Sequence, residues 1–255
     1  MRLIDSHTHL YSKEFEKDFD EVLQRARNAG VTRFYLPGID SQVIDDMLKL
    51  EQLYPGEFYP LIGLHPCSVK ENYQEELQIV ERYLSQRQWV AVGEIGLDFY
   101  WDTSFKDQQF EAFNTQMELA LKYHLPIVIH TRNAMEETIE AVKPFAQKGL
   151  AGIFHCFGDT PENAKKIIDL GFYLGVGGVL TYKNASLSET LKDISLDKIV
   201  LETDAPYLSP VPYRGKRNES SYLTFVAEKL AAIKNVSVEE VATITSSNAE
   251  KIFGQ

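Results

Sequence analysis

Residues 5–9 read Asp5-Ser6-His7-Thr8-His9 and directly follow the apolar residues Leu3 and Ile4. If this segment ends a short strand, His7 and His9 project to the same side, because side chains alternate along a strand. Two imidazoles placed in this way are typical of a pair of metal ligands, but unrelated histidines also occur on surface strands. The segment alone leaves both interpretations open, and the other strand ends must decide between them.

Short apolar runs alternate with segments of helical periodicity along the 255-residue chain. Eight runs are predicted as strands: 2–5, 33–36, 58–62, 89–92, 127–130, 152–155, 172–176 and 198–202. Strand and helix alternating eight times predict an α/β fold, a single (β/α)8 TIM barrel over residues 1–255. An open doubly wound sheet is the alternative, but residues 7–9 stand where its glycine-rich phosphate loop would follow the first strand.

The composition limits the classes of function. A net charge of −11 argues against a broad basic surface for gripping nucleic acid. No apolar run has the length of a membrane span, and the N-terminus lacks a signal-peptide pattern, so we expect a cytoplasmic protein without membrane contacts. Cys67 and Cys156 are too few for a disulfide framework, and both are expected to be reduced.

Histidines and carboxylates recur where the predicted strands end. In a barrel, the C-terminal ends of all strands meet at one mouth. These positions carry five of the six histidines and three carboxylates: His7, His9, His65, Glu94, His130, His155, Glu202 and Asp204. Imidazole and carboxylate ligands without thiolates suit a divalent ion more than a structural zinc site. The set is large enough for two ions, which a carboxylate such as Glu94 can bridge.

Six blocks of sequence resemble the TatD family of metal-dependent deoxyribonucleases, which belongs to the amidohydrolase-like barrels. They are residues 5–9, 63–66, 93–98, 130–132, 155–157 and 202–208, and segments 178–184 and 214–219 are also similar. The resemblance extends from residue 2 to about residue 253. It implies hydrolysis of phosphodiesters, typically the removal of nucleotides from a DNA 3′ end.

The resemblance also implies two divalent ions per subunit, Mg²⁺, Mn²⁺ or Zn²⁺, held by residues at the mouth. One ion would have the ligands His7, His9, Glu94 and Asp204, and the other would have Glu94, His130 and His155. Asp204 is expected to orient or deprotonate the attacking water, and Glu94 is expected to bridge the ions. The expected partner is DNA, single-stranded or at 3′ ends, with RNA as a further candidate, and the protein is expected to be a monomer.

Other residues near the mouth are candidates for substrate contacts. Arg132 is expected to stabilise phosphate charge. His65 is expected to contact phosphate or a further ion, or else only to cap the loop before Pro66. The loop 209–221 carries a basic cluster of Arg214, Lys216 and Arg217. The aromatic residues expected to stack on unpaired bases are Tyr207, Tyr182, Phe99, Tyr100 and Trp101. Glu202 is expected to hydrogen-bond a metal ligand, with ligation or an ion pair as alternatives. Asp98 is expected either to hydrogen-bond a ligand or only to cap the next helix.

Two other functions fit parts of this pattern. One is a small-molecule hydrolase acting on an amide, a lactone or a phosphotriester, as in related barrels. The other is a non-catalytic nucleic-acid-binding protein on a barrel that no longer binds metal. The net charge of −11 and the complete set of candidate ligands argue against the second.

Overall fold

The structure, a computed structural model, describes residues 1–183 and 186–254. The strands are β1 (Leu3–Asp5), β2 (Val31–Leu36), β3 (Phe58–Pro60), β4 (Val92–Asp98), β5 (Ile127–Arg132), β6 (Gly152–Phe154), β7 (Tyr173–Val176) and β8 (Ile199–Leu201). The α-helices are α1 (Phe19–Asn28), α2 (Ile44–Leu53), α3 (Tyr73–Gln86), α4 (Lys106–Lys122), α5 (Met135–Ala146), α6 (Pro161–Asp169), α7 (Leu187–Lys192), α8 (Leu223–Lys234) and α9 (Val238–Phe253). Asn184, the last residue of one segment with family resemblance, lies outside the described residues.

All strands are parallel, and each pairs with its neighbours in chain order. Strand pairing is continuous from β1 to β3 and from β4 to β8, and backbone contacts at two junctions close the barrel. At the junction of β3 and β4, Ile62 forms a parallel bridge with Val92. At the other, Ser6 N–H donates to Leu201 O at 3.0 Å and Asp204 N–H donates to His7 O at 2.9 Å. The predicted (β/α)8 barrel is confirmed, and the open doubly wound sheet is wrong.

All eight predicted strands overlap observed ones, but the fourth shares only Val92 with its strand and was misplaced. It was predicted over 89–92, whereas β4 runs from Val92 to Asp98 and contains Glu94. The glycines at 93 and 96 serve close packing within the sheet. A Cβ on Gly93 would lie 2.8 Å from Val128 Cβ, and one on Gly96, at φ +146°, would lie 1.9 Å from His130 O. The register shifts between Gly93 and Ile95, so Glu94 lies at an irregularity of the strand.

The barrel interior is filled at its N-terminal end. Every strand, or a residue adjacent to it, contributes one buried side chain to this layer: Ile4, Tyr35, Leu61, Ala91, Val128, Ile153, Tyr173 and Val200. Helix α9 closes the same end, because Phe253 stacks on Tyr35 with the ring centroids 3.9 Å apart. The C-terminal end is therefore the one that remains available for a site.

Two helices begin at a side-chain cap. The Thr160 side chain accepts a hydrogen bond from Asn163 N–H at the start of α6, and Ser237 does the same for Glu240 N–H at α9. Within residues 1–183 and 186–254, no helix combines the length and apolarity needed to cross a membrane.

Candidate metal centre

Glu94 lies at the centre of the barrel mouth, and its side chain is almost completely buried. Its two carboxylate oxygens face different histidines. Oε1 faces His130 Nδ1 at 2.9 Å, His155 Nε2 at 3.0 Å and His65 Nε2 at 3.3 Å. Oε2 faces His7 Nε2 at 3.2 Å and His9 Nε2 at 3.9 Å. A carboxylate whose oxygens serve two separate groups of imidazoles has the arrangement required of a bridging ligand.

Asp204 completes the Oε2 side of the centre. Its Oδ1 lies 3.2 Å from His9 Nε2 and 3.6 Å from His7 Nε2. The residue follows β8 by three positions and has φ +56°, a left-handed conformation that asparagine and aspartate adopt more readily than most residues. This backbone conformation, held by the hydrogen bond to His7 O, turns the carboxylate towards the histidines of β1.

The side chains present fit divalent metal ions. Three overlapping groups have one ligand atom per residue, with all atoms of a group within 4.8 Å of one another: His7, His155 and Asp204; His7, His9 and Glu94; His65, Glu94 and His130. Nδ1 of His7 is buried without a hydrogen-bond partner among the described residues, and Nε2, although 3.2 Å from Glu94 Oε2, lacks the geometry of a hydrogen bond. Such an unsatisfied buried group costs about 1–3 kcal/mol. A metal ion would provide the partner that the protein lacks.

The electrostatics favour the ligand forms of two central residues. Burial lowers the pKa of His7, which keeps its imidazole neutral. Burial alone would raise the pKa of Glu94, but the neighbouring histidines, led by His155, hold it well below its usual range. A neutral imidazole and an ionised carboxylate are the forms that bind metal.

The tautomers of His9 and His130 are set by groups behind their rings. Tyr11 Oη donates its one proton to Pro37 O at 2.7 Å, so it accepts from His9 Nδ1–H at 2.7 Å. His130 Nε2 lies 2.9 Å from Asp98 Oδ2, which accepts its proton. The lone pair of His9 Nε2 therefore faces the centre, as metal ligation requires. Burial alone would lower the pKa of His130, but the hydrogen bonds to Asp98 and Glu94 raise it, so a metal ion would replace the proton on Nδ1.

His65 has the opposite arrangement. Cys67 N–H donates to His65 Nδ1 at 3.0 Å, so that nitrogen carries the lone pair. Burial lowers the pKa of His65, and the neutral ring must then carry its proton on Nε2, 3.3 Å from Glu94 Oε1. His65 therefore presents a hydrogen-bond donor to the mouth, where His9 presents a lone pair.

Glu202 and Asp98 contact histidines, as their predicted roles require. Glu202 Oε1 lies 3.3 Å from His155 Nδ1 and accepts a hydrogen bond from Cys156 N–H at 2.6 Å. Burial alone would raise the pKa of Asp98, but the hydrogen bond from His130 and those from the backbone beyond β4 lower it. The contacts are observed, and the positioning roles remain predictions.

The sequence analysis did not single out two buried residues that hold the loop after β8. Asp5 accepts hydrogen bonds from Thr203 Oγ1 and Ser220 Oγ, both at 2.6 Å, and burial raises its pKa to about 7. Asn218 Nδ2 donates to Thr203 O at 2.8 Å and to Tyr207 O at 2.7 Å. Both residues occur in blocks that resemble the family, but the sequence did not show which groups they would contact.

The predicted substrate residues lie around the mouth and differ in their exposure and in their contacts. Tyr207 is 56% exposed, and its ring centroid is 5.9 Å from that of His9. The Arg214 guanidinium lies 4.3 Å from the Tyr182 ring centroid, and Lys216 is exposed. Arg217 was expected to add positive charge, but it forms two hydrogen bonds with the Asp18 carboxylate, at 2.8 and 2.6 Å. Its charge is therefore offset, and that part of the prediction is wrong.

Comparison with known proteins identifies the family. A sequence profile of the TatD related DNases matches residues 4–254. The chain belongs to this family. The metal-dependent hydrolase YabD of Bacillus subtilis is 39% identical over 252 residues, covering 98% of this chain and 98% of that protein. An Erwinia tasmaniensis protein named 3′-5′ ssDNA/RNA exonuclease TatD is 33% identical over 257 residues, covering 98% and 99% of the two chains.

The structural comparison agrees with the sequence comparison. The crystal structure of YjjV, a TatD homologue from Escherichia coli, matches with a TM-score of 0.94 at 28% identity. The match covers 100% of this chain and 98% of that chain. The protein is thus a metal-dependent hydrolase of the TatD family, with a nuclease-type activity, and these parts of the sequence prediction are confirmed.

Proposed function

We propose that this TatD-family hydrolase binds two divalent ions and removes nucleotides from the 3′ ends of single-stranded DNA. The observation that carries the proposal is Glu94, whose two oxygens face two different sets of imidazoles. The name of the Erwinia tasmaniensis relative supports the polarity and the single-stranded substrate, and it includes RNA. RNA ends are therefore the second substrate to test.

We assign His7, His9, Glu94 and Asp204 to one ion, and Glu94, His130 and His155 to the other. His65 also lies beside Glu94 and His130, but the Nε2 proton assigned from the Cys67 N–H contact makes it unsuitable as a ligand in that tautomer. Bound ions would polarise the phosphate and lower the pKa of a water molecule. Mg²⁺ and Mn²⁺ suit the oxygen-rich substrate, and Zn²⁺ suits the imidazoles.

The side chains would divide the remaining work. Burial alone would raise the pKa of Asp204, but His9 and the neighbouring histidines lower it, so the carboxylate is ionised at neutral pH. Asp204 would accept a hydrogen bond from the attacking water and orient it towards phosphorus. His65 Nε2–H would donate to a phosphate oxygen, and Arg132 would add positive charge nearby.

Residues around the mouth of the barrel would hold the DNA strand. We place Tyr207 beside a base, and Arg214 and Lys216 beside phosphates upstream of the scissile bond. These cations and the bound ions would offset the net charge of −11, which otherwise repels DNA.

The test is cleavage of single-stranded oligonucleotides labelled at either end, with Mg²⁺ or Mn²⁺. A 5′-labelled strand should give a ladder that shortens with time, and a 3′-labelled strand should release labelled mononucleotide at once. Chelator should stop the reaction, and Asp204→Asn should slow it by at least ~10³-fold. Asp169→Asn, at an exposed position at the end of α6, is the matched control.

Two outcomes would overturn the proposal. The first is a metal-loaded protein that cleaves neither DNA nor RNA but hydrolyses a lactone, an amide or a phosphotriester. The second is cleavage from the 5′ end or within the strand.

A further inference from the structure

Two aromatic side chains stand exposed beside the metal centre. Tyr100 is 51% exposed and Trp101 is 68% exposed, in the loop that follows β4. The Arg132 guanidinium lies 3.8 Å from the Tyr100 ring centroid and 5.2 Å from that of Trp101. No carboxylate in the described part of the chain lies within 4.0 Å of this guanidinium, so its charge is available to a ligand. We call Tyr100, Trp101 and Arg132 the aromatic rim.

Asp98 joins the aromatic rim to the metal centre. Its side chain is buried, and its Oδ1 accepts hydrogen bonds from Tyr100 N–H at 2.9 Å and Trp101 N–H at 3.2 Å. Its Oδ2 lies 2.9 Å from His130 Nε2, and His130 Nδ1 lies 2.9 Å from Glu94 Oε1. One carboxylate thus fixes both the backbone of the rim loop and the orientation of a candidate metal ligand.

Asp98 is itself held in place by the side-chain amide of Gln109 in α4. Asp98 N–H donates to Gln109 Oε1 at 2.8 Å, and Gln109 Nε2 donates to Asp98 O at 3.1 Å. With its backbone fixed on both sides, Asp98 can respond to a displaced partner only by rotating its carboxylate. Because the two oxygens rotate together, a shift of the rim loop at Oδ1 would move Oδ2 relative to His130.

We propose that the aromatic rim binds an unpaired nucleobase, and that Asp98 is the positioning residue that couples this subsite to His130. Exposed aromatic faces stack on any base, and an arginine beside them suits the adjoining phosphate. A base paired in a duplex cannot present a free face, so the subsite favours frayed or single-stranded ends. The inference rests on the proposed function for the direction of the strand, but base binding itself needs no cleavage.

Intrinsic fluorescence can test the subsite without turnover. The chain has two tryptophans, and Trp89 is buried, so Trp101 is the one tryptophan whose emission a stacked base can quench directly. In chelator, a thymidine octanucleotide should quench the emission, whereas a blunt hairpin should not. Trp101→Ala should bind a dye-labelled octanucleotide about 10-fold more weakly, and Trp101→Phe, which keeps an aromatic face, should stay within about 3-fold of wild type.

Mn²⁺ binding provides a separate test of the coupling between the aromatic rim and His130. Adding Mn²⁺ to wild-type protein should shift the Trp101 emission, because His130 and the rim loop share Asp98. Asp98→Asn should lose that shift and bind Mn²⁺ about 10–100-fold more weakly by calorimetry. Asp98→Glu, which keeps the charge, should restore part of both, and it serves as the second variant if Asp98→Asn does not fold.

Each failure points to a different claim. Normal DNA cleavage without quenching, or unchanged binding by Trp101→Ala, would overturn the subsite alone. Quenching without any cleavage of DNA or RNA would overturn the proposed function and leave the subsite standing. An Mn²⁺-induced emission shift that persists in Asp98→Asn would overturn the coupling.

Discussion

The metal centre and the rim around it lie within one barrel mouth but are built in different ways. The proposed ligands His7, His9, Glu94, His130, His155 and Asp204 have side chains no more than 16% exposed. Tyr100, Trp101 and Tyr207 on the rim are each more than half exposed. Charges in the centre act in a water-poor environment, while those on the rim are screened by solvent. The centre is thus suited to chemistry and the rim to affinity and selectivity.

The largest effect is expected from Glu94→Gln. The substitution keeps the shape of the side chain but removes the charge that both groups of histidines face. We expect the measured metal content to fall from two ions towards one or none, and hydrolysis to fall by at least ~10³-fold. Elemental analysis of dialysed protein and single-turnover cleavage measure the two quantities.

Glu228→Gln, an exposed carboxamide substitution in α8, is the matched control and should behave as wild type. Two retained ions in Glu94→Gln, together with activity within about 10-fold of wild type, would contradict the bridging role.

Variants of His65 can show whether this residue donates a hydrogen bond to phosphate or binds a metal ion. If its Nε2–H contacts phosphate, His65→Ala should lower kcat by about 10–100-fold while the metal content stays at that of wild type. His65→Gln, whose amide can donate a hydrogen bond, should recover part of the loss. A loss of one ion in both variants would instead make His65 a ligand.

Much of the architecture was predictable because it depends on local pattern. Parallel strands covered on both faces are apolar throughout, so strand and helix runs could be counted directly. Thr160 and Ser237 also act locally, since each caps the helix that follows it. The strand at Glu94 was misplaced because its glycines serve packing against β5, and that contact is absent from the local sequence.

The residue types of the centre were predictable, but their individual states were not. Histidines at strand ends predicted a metal site because a barrel brings those ends together. The tautomer of His9 depends on Tyr11 and Pro37, and that of His65 depends on a backbone N–H. Likewise, the charge of Arg217 is offset by Asp18, 199 positions away in the sequence. Such contacts exist only in the folded chain.

The smallest effect is expected at Arg214 and Lys216, which lie in the loop after β8 and form no ion pair with a described carboxylate. Each phosphate contact that is lost should reduce the salt dependence of single-strand binding by about 0.7 in the slope of log K against log salt. Arg214→Gln and Lys216→Gln should each show this reduction with chelator present, and the double variant should show about twice as much. Lys148→Gln, just before β6 at the opposite end of the barrel, is the control. An unchanged slope in both Arg214→Gln and Lys216→Gln would mean that only the metal centre and the aromatic rim hold the strand.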